Sequence, residues 1–177
     1  MGDTLITVVA IFLAAVLMFV FPLMSISERN DDIAQLSVQT QTVEFVDNIR
    51  ATGKLTFENY DKFIQALSAT GNSYDVEMEI KVLDENPGKK AQEVSSTKIG
   101  ENIYYSIYTS QIEKELGIGE ANPKTKLLKE GDVVAVNVKN TNTTIAQMLK
   151  NFFYSISGND TYSIEASHSG VVMTNGK

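Results

Sequence analysis

The apolar positions of this chain change their period twice. From Leu5 to Ile26 they form a continuous run, LITVVAIFLAAVLMFVFPLMSI, 22 residues without a charge and with polar side chains only at Thr7 and Ser25. A core helix carries a polar stripe at helical spacing, whereas a helix apolar all round needs lipid or other helices on every side. At 1.5 Å rise per residue the run is about 33 Å long, matching a hydrocarbon layer of about 30 Å. It is therefore expected to be a transmembrane helix, with Leu5, Ile6, Val9, Ala10, Leu13, Ala14, Leu17, Val20 and Pro22 on its membrane and assembly surface. Pro22 lacks a backbone donor and crowds the carbonyl of Met18, so a kink or a locally melted turn is expected there. Ala10, Ala14 and Ala15 fall close to one face and permit close helix approach in lipid, although alanine is common in spans for no special reason.

After the polar cluster Glu28-Arg29-Asn30-Asp31-Asp32 a helical period returns. Ile33, Leu36, Thr40, Val43, Val46 and Ile49 or Arg50 recur at spacings of three and four, and neither Pro nor Gly interrupts the run before Gly53. The reading is one rigid helix from the membrane to Thr52, about 70 Å long, with Ile33, Leu36, Val43, Val46 and Ile49 as its apolar face. This divides the chain into an N-terminal segment with the transmembrane helix (1–27), an amphipathic continuation (28–52) and an extracytoplasmic domain (53–177).

Beyond Gly53 the periods are mixed. Thr56 caps a helix whose apolar face is Phe57, Tyr60, Phe63, Ile64 and Leu67, ending at Gly71-Asn72. Tyr74 to Val82 alternates without an error, as a half-buried strand does. Asp84-Glu85-Asn86-Pro87-Gly88 is turn chemistry, and Lys89 to Ser96 reads as a mobile polar loop. Ile103 to Leu116 is read mainly as helix from Tyr104, Ile107 or Tyr108, Ile112 and Leu116, and Gly117 to Lys126 as a flexible loop. The turn Glu130-Gly131-Asp132 precedes a strand over Val133 to Val138. Asn142-Thr143-Thr144 can cap a helix to about Ser155 that buries Ile145, Met148, Leu149, Phe152 and Phe153. A last strand runs from Thr161 to Ala166, extending toward Met173. The fold class is α+β: a long N-terminal helix packed on a small domain of about three strands and three further helices.

Composition narrows the function. At 177 residues the chain suits one domain plus an anchor. The net charge of −7 disfavours phosphate backbones, so no nucleic acid is expected as partner. The absence of cysteine removes thiolate metal sites and thiol nucleophiles. His168, the only histidine, cannot build a His-based zinc site or triad by itself and reads as a surface residue. Asp31-Asp32 and Asp84-Glu85-Asn86 lack the spacing of a calcium loop, and Gly117-Ile118-Gly119 lacks the last glycine and the flanking elements of a dinucleotide loop. The sequons at Asn142 and Asn159 are short enough to arise by chance, and Glu77 and Glu79 fall on the solvent face of their strand. No catalytic residue, metal ligand, cofactor or small-molecule substrate is expected, and the chain is read as not an enzyme.

The start of the chain admits three mature N-termini: Met1, Asp3 or Glu28. Cleavage after Ser27 would follow the small-residue spacing of Ser25 and Ser27, but the region before the apolar run has no basic residue and the run exceeds a signal's central region. The N-terminus is expected in the cytoplasm, because everything that can fold follows the span.

Gly2-Asp3-Thr4-Leu5-Ile6-Thr7, followed at once by the apolar run, resembles the class III signal of type IV pilin-like proteins, in which a leader peptidase cuts after a Gly. Thr7 stands where that family has Glu. A long N-terminal helix ending at a Gly, a Thr-capped helix, an alternating strand, Gly-Asp-x-Val-x-Val at Gly131 to Val136 and Ser-x-Ser-Gly at Ser167 to Gly170 are similar to the TadE-type pseudopilins of tight-adherence pili, particularly those of Gram-positive bacteria. The resemblance implies processing between Gly2 and Asp3. It further implies a structural filament subunit, minor or major, held in the bilayer before assembly, whose partners are lipid, other pilin-like subunits and the pilus assembly machinery. The alternative is a permanently anchored accessory protein of a secretion or conjugation apparatus, with a partner-binding extracytoplasmic domain.

Overall fold

The computed structural model describes residues 2–84, 104–119, 122–148, 151 and 163–177. The expectations for Glu85 to Gly88, the loop Lys89 to Ser96, Ile103, Leu149, Phe152, Phe153, Ser155, Asn159 and Thr161 fall outside these residues. Helix α1 runs from Gly2 to Thr52, followed by β1 (Lys54–Thr56), α2 (Phe57–Ser68), β2 (Tyr74–Leu83), β3 (Tyr104–Tyr108), α3 (Thr109–Leu116), β4 (Thr125–Leu127), β5 (Val133–Asn140) and β6 (Glu165–Val171). The class is α+β, with the long helix packed on a small sheet. The chain forms two compact units, one of Met1–Leu36 with Asn142–Ile164, the other of Ser37–Thr141 with Glu165–Lys177.

The larger unit is built on an antiparallel sheet in the order β3-β2-β5-β6, with a second, two-stranded sheet of β1 and β4. Register follows the alternation. Met78 pairs with Val136, Ile80 with Val134 and Val138 with Ala166, which puts all six side chains on the inner face. Glu77 and Glu79 lie opposite Asn137 and Ala135 on the other face. Against the inner side the unit gathers Val38, Phe45, Val46 and Ile49 of α1, Tyr60, Phe63 and Leu67 of α2, and Ile112 and Leu116 of α3. The Phe45 and Phe63 rings stack with centroids 4.3 Å apart.

Local chemistry explains the element ends. Thr56 caps α2 by accepting from the Asn59 amide at 3.1 Å. Gly53 ends α1 at φ +66°, and a Cβ there would run into the Thr174 carbonyl and the Gly176 amide, so the close approach of the C-terminal tail needs glycine. Buried Asp132 accepts from the Leu83 and Lys129 amides, each at 2.8 Å, and ties the end of β2 to the turn before β5.

The structure departs from several expectations. The stretch expected to be mainly helix from Ile103 begins as strand, because Tyr104–Tyr108 is aromatic and β-branched and fills the free edge of β2 from Leu83↔Tyr104 to Glu79↔Tyr108; helix starts only at Thr109. The loop expected over Gly117 to Lys126 contains the start of β4, which pairs with β1; three-residue strands carry too little alternation to be read in a sequence. The expected face of α1 is also displaced. Val46 and Ile49 are buried and Val43 partly so, but Ile33 and Leu36 are 59% and 66% exposed. The covered stripe is instead Asp31, Ala34, Val38, Thr42, Phe45, Val46 and Ile49. A hydropathy reading misses it because Thr42 hides its hydroxyl by donating to the Val38 carbonyl at 2.7 Å, and Asp31 has a partner.

That partner belongs to the smaller unit. Here Gly2–Leu36 of α1 meets a helical turn at 145–148. Thr144 and Gln147 form a capping box: the Thr144 amide donates to Gln147 Oε1 at 3.1 Å and the Gln147 amide to Thr144 Oγ1 at 3.2 Å. The Thr144 hydroxyl donates to Asp31 Oδ2 at 2.7 Å, and the Ala146 amide to Ser27 Oγ at 3.1 Å. Ala146 and Gln147 are buried, while Ile145 and Met148, expected inside, are exposed. The inward face of the turn is chosen by these hydrogen bonds rather than by hydrophobicity.

Candidate membrane and assembly helix

The first half of α1 has an unbroken helical backbone and almost no cover from its own chain. Every residue from Gly2 to Phe19 is exposed, Phe12 and Met18 to 70% and 76%, and none of the most apolar stretch is buried. This is one helix long and apolar enough to cross a membrane. Each such side chain left in water forgoes about 1.5–3 kcal/mol relative to burial, so a run of this length demands an apolar environment that the described residues do not supply. Thr7 is compatible with one: its hydroxyl donates to the Asp3 carbonyl at 2.8 Å.

Gly2 and Asp3, the candidate processing pair, form the first residues of α1, and a Cβ at Gly2 would touch nothing within 4 Å. Leu5, Ile6, Val9, Ala10, Leu13, Ala14 and Leu17 are exposed and Val20 is half-buried. Pro22 lies exposed inside the helix, and no turn is melted around it. Ser25, Ser27 and Glu28 lie within the same continuous helix.

The exposed apolar residues follow a register. Leu5, Phe12, Phe19, Ile26 and Ile33 recur at intervals of seven, and each is more than half exposed. Inside the apolar run any register is apolar. Ile33 prolongs this one past the charged cluster, and Leu36 lies three residues further on. A seven-residue seam is the pattern by which one helix packs along another with a left-handed supercoil.

A second cluster was not legible in the sequence. The pairing Val136↔His168 turns the histidine to the inner side of β6, where its Nε2 lies 3.4 Å from Asp47 Oδ1 of α1. Asp47 also accepts from Arg50 Nη1 at 2.6 Å, and Arg50 Nε donates to the Val171 carbonyl at 3.1 Å. The Met173 amide donates in turn to the Arg50 carbonyl at 2.9 Å. Glycine at 170 leaves room for the Arg50 guanidinium, which a Cβ there would push aside. The hydrogen bond from Arg50, and next that from His168, holds the Asp47 carboxyl below its ordinary value. The arrangement is a clamp of the helix end on the last strand. Its only sequence signal was the Asp-x-x-Arg spacing on a helix, which is too common to single out.

No family model, no curated protein and no solved structure matches this chain.

Proposed function

We propose that the chain is a pilin-like structural subunit, anchored in a membrane by the first half of α1 with its N-terminus in the cytoplasm, and assembled into a filament of the tight-adherence or a related type IV kind with its folded part outside the cell. The observation that carries this reading is the division of one unbroken helix. Its second half builds the core of a folded unit, and its first half presents an apolar surface that remains exposed among the described residues.

An anchor alone needs lipid only along the span. The exposed Ile33 and Leu36, which extend the seven-residue seam beyond the span, favour packing against a neighbouring helix over a merely tethered domain. The resemblance at Gly2 to Thr7 supports the same reading. The function assigned is packing, with no catalytic role. The Thr7 hydroxyl, which donates to the Asp3 carbonyl of its own helix, carries no charge with which to pair an amine as the family's Glu does, so registration of subunits rests on shape and seam contacts.

Surface filaments sheared from cells and analysed by mass spectrometry test this. The chain is expected in the filament fraction with Asp3 as its first residue. Its complete retention in membranes would sink the subunit reading in favour of a permanently anchored accessory protein.

A further inference from the structure

In the unit of Met1–Leu36 with Asn142–Ile164, the helical turn at 145–148 is seated at the end of the apolar run. Its Ala146 amide is 3.1 Å from Oγ of Ser27, the residue directly after Ile26, and Thr144 is bonded to Asp31 one turn further on. The covered stripe of α1 starts inside the run, at half-buried Val20 and Met24, and passes Ser27 to Asp31 and Ala34 at helical spacing. The turn is therefore fixed at the depth where a helix spanning with Leu5 to Ile26 leaves the hydrocarbon.

At that depth the turn divides into two faces. Ala146, whose amide donates to Ser27 of α1, and Gln147 are buried, while Ile145 and Met148, three residues apart and so neighbours on one face, are 61% and 56% exposed. Leu23 and Ile26 of α1, within four residues of Ser27, are exposed as well, so apolar side chains are presented at this depth by both the helix and the turn. Two hydrogen bonds to α1 hold the turn in place, and its backbone polar groups are capped by Thr144 and Gln147. Such an element suits the headgroup and acyl boundary, where apolar side chains enter lipid and polar ones stay wet.

Resting on the anchor reading, we propose that the 145–148 turn is a membrane-interface foot, its Ile145 and Met148 side chains inserted into the outer boundary of the bilayer beside α1. The occupant of this surface is lipid. The foot would fix the depth of α1 and would have to leave the bilayer if the subunit is extracted into a filament.

The chain contains no tryptophan, so a single introduced indole reports alone. Full-length Phe12→Trp, Met148→Trp and Leu36→Trp chains are reconstituted in phosphatidylcholine vesicles, plain or brominated near the headgroup or near the chain end. Emission of the Phe12→Trp chain is expected to be quenched most by the deep bromines, and that of the Met148→Trp chain most by the shallow ones. The indole of the Leu36→Trp chain, about 15 Å beyond Ile26 along the helix, should keep its emission in all three lipids. Ile145→Trp repeats the measurement from the neighbouring exposed position and should share the shallow profile. Unchanged emission of both the Met148→Trp and Ile145→Trp chains in brominated lipid, with the Phe12→Trp chain quenched, would overturn the foot while leaving the anchor intact. An unquenched Phe12→Trp chain would overturn the anchor and the foot with it. Emission from the Met148→Trp chain that is unquenched and blue-shifted, and that moves to the red on dilution of the chain in lipid, would assign the surface to a second copy instead, and the proposal would fail.

Discussion

Leu13 and Ile49 are aliphatic residues of the same helix, yet Leu13 is 57% exposed and Ile49 is fully buried. Around Ile49 the apolar positions form a stripe, and a stripe can be covered by one sheet and one neighbouring helix. Around Leu13 they form a whole circumference, which no single layer of a small domain can cover. The two halves of α1 therefore need different media: the second is held by side chains of its own chain, the first by whatever apolar surroundings it meets.

The largest effect should come from the first half. Leu13→Arg with Leu17→Arg places two cations near the middle of the run, at a cost of about 6 kcal/mol for insertion. The doubly substituted chain is expected in the soluble fraction after alkaline extraction of membranes, where the unaltered chain stays in the pellet. Retention in the membrane would break the comparison, because the run would then not be what holds the chain there.

In the second half, Ile49→Ala should lower unfolding stability by about 2–5 kcal/mol, through lost burial and the cavity left behind. Denaturant unfolding in detergent measures it. Leu13→Ala under the same conditions should be nearly silent, and equal effects from the two substitutions would erase the distinction. At the helix end, Gly53→Ala should cost about 1–3 kcal/mol from the left-handed backbone, and more if the C-terminal tail is displaced. Limited proteolysis of the tail reads that displacement.

The smallest effect concerns the Asp47 clamp. Its carboxyl is held below the ordinary value of 3.8, so the folded state binds that proton less readily than the unfolded chain. The contribution is present above 3.8 and is lost as pH falls through the lower, folded-state value. The urea midpoint of the native chain should fall between about pH 5 and pH 2 more steeply than that of Asp47→Asn. Parallel pH profiles would leave the clamp without energetic weight.

How much of this was legible beforehand varied with the length of the pattern. The apolar run of 22 residues and the alternation of Tyr74 to Val82 carry many concordant positions, and both appear as α1 and β2. β1 and β4 have three residues each, and β3 has five whose spacing also fits a helix. Their state is decided by the strands they meet. Hydropathy alone misplaces the covered face of α1 at Ile33 and Leu36 for a related reason: burial there follows Asp31, Ala34 and Thr42, and the polarity of Asp31 and Thr42 is cancelled by a partner distant in sequence and by the helix's own carbonyl.

The sequence by itself determined that α1 is long, apolar all round in its first half and unbroken to Gly53, because helix formation and hydropathy depend on near neighbours along the chain. Only the tertiary structure decided which side of the second half is covered, that Tyr104–Tyr108 is a strand, that His168 meets Asp47, and that Ile145 and Met148 face outward. Each of these depends on a hydrogen bond or contact between residues far apart in sequence, and local pattern carries no information about such partners.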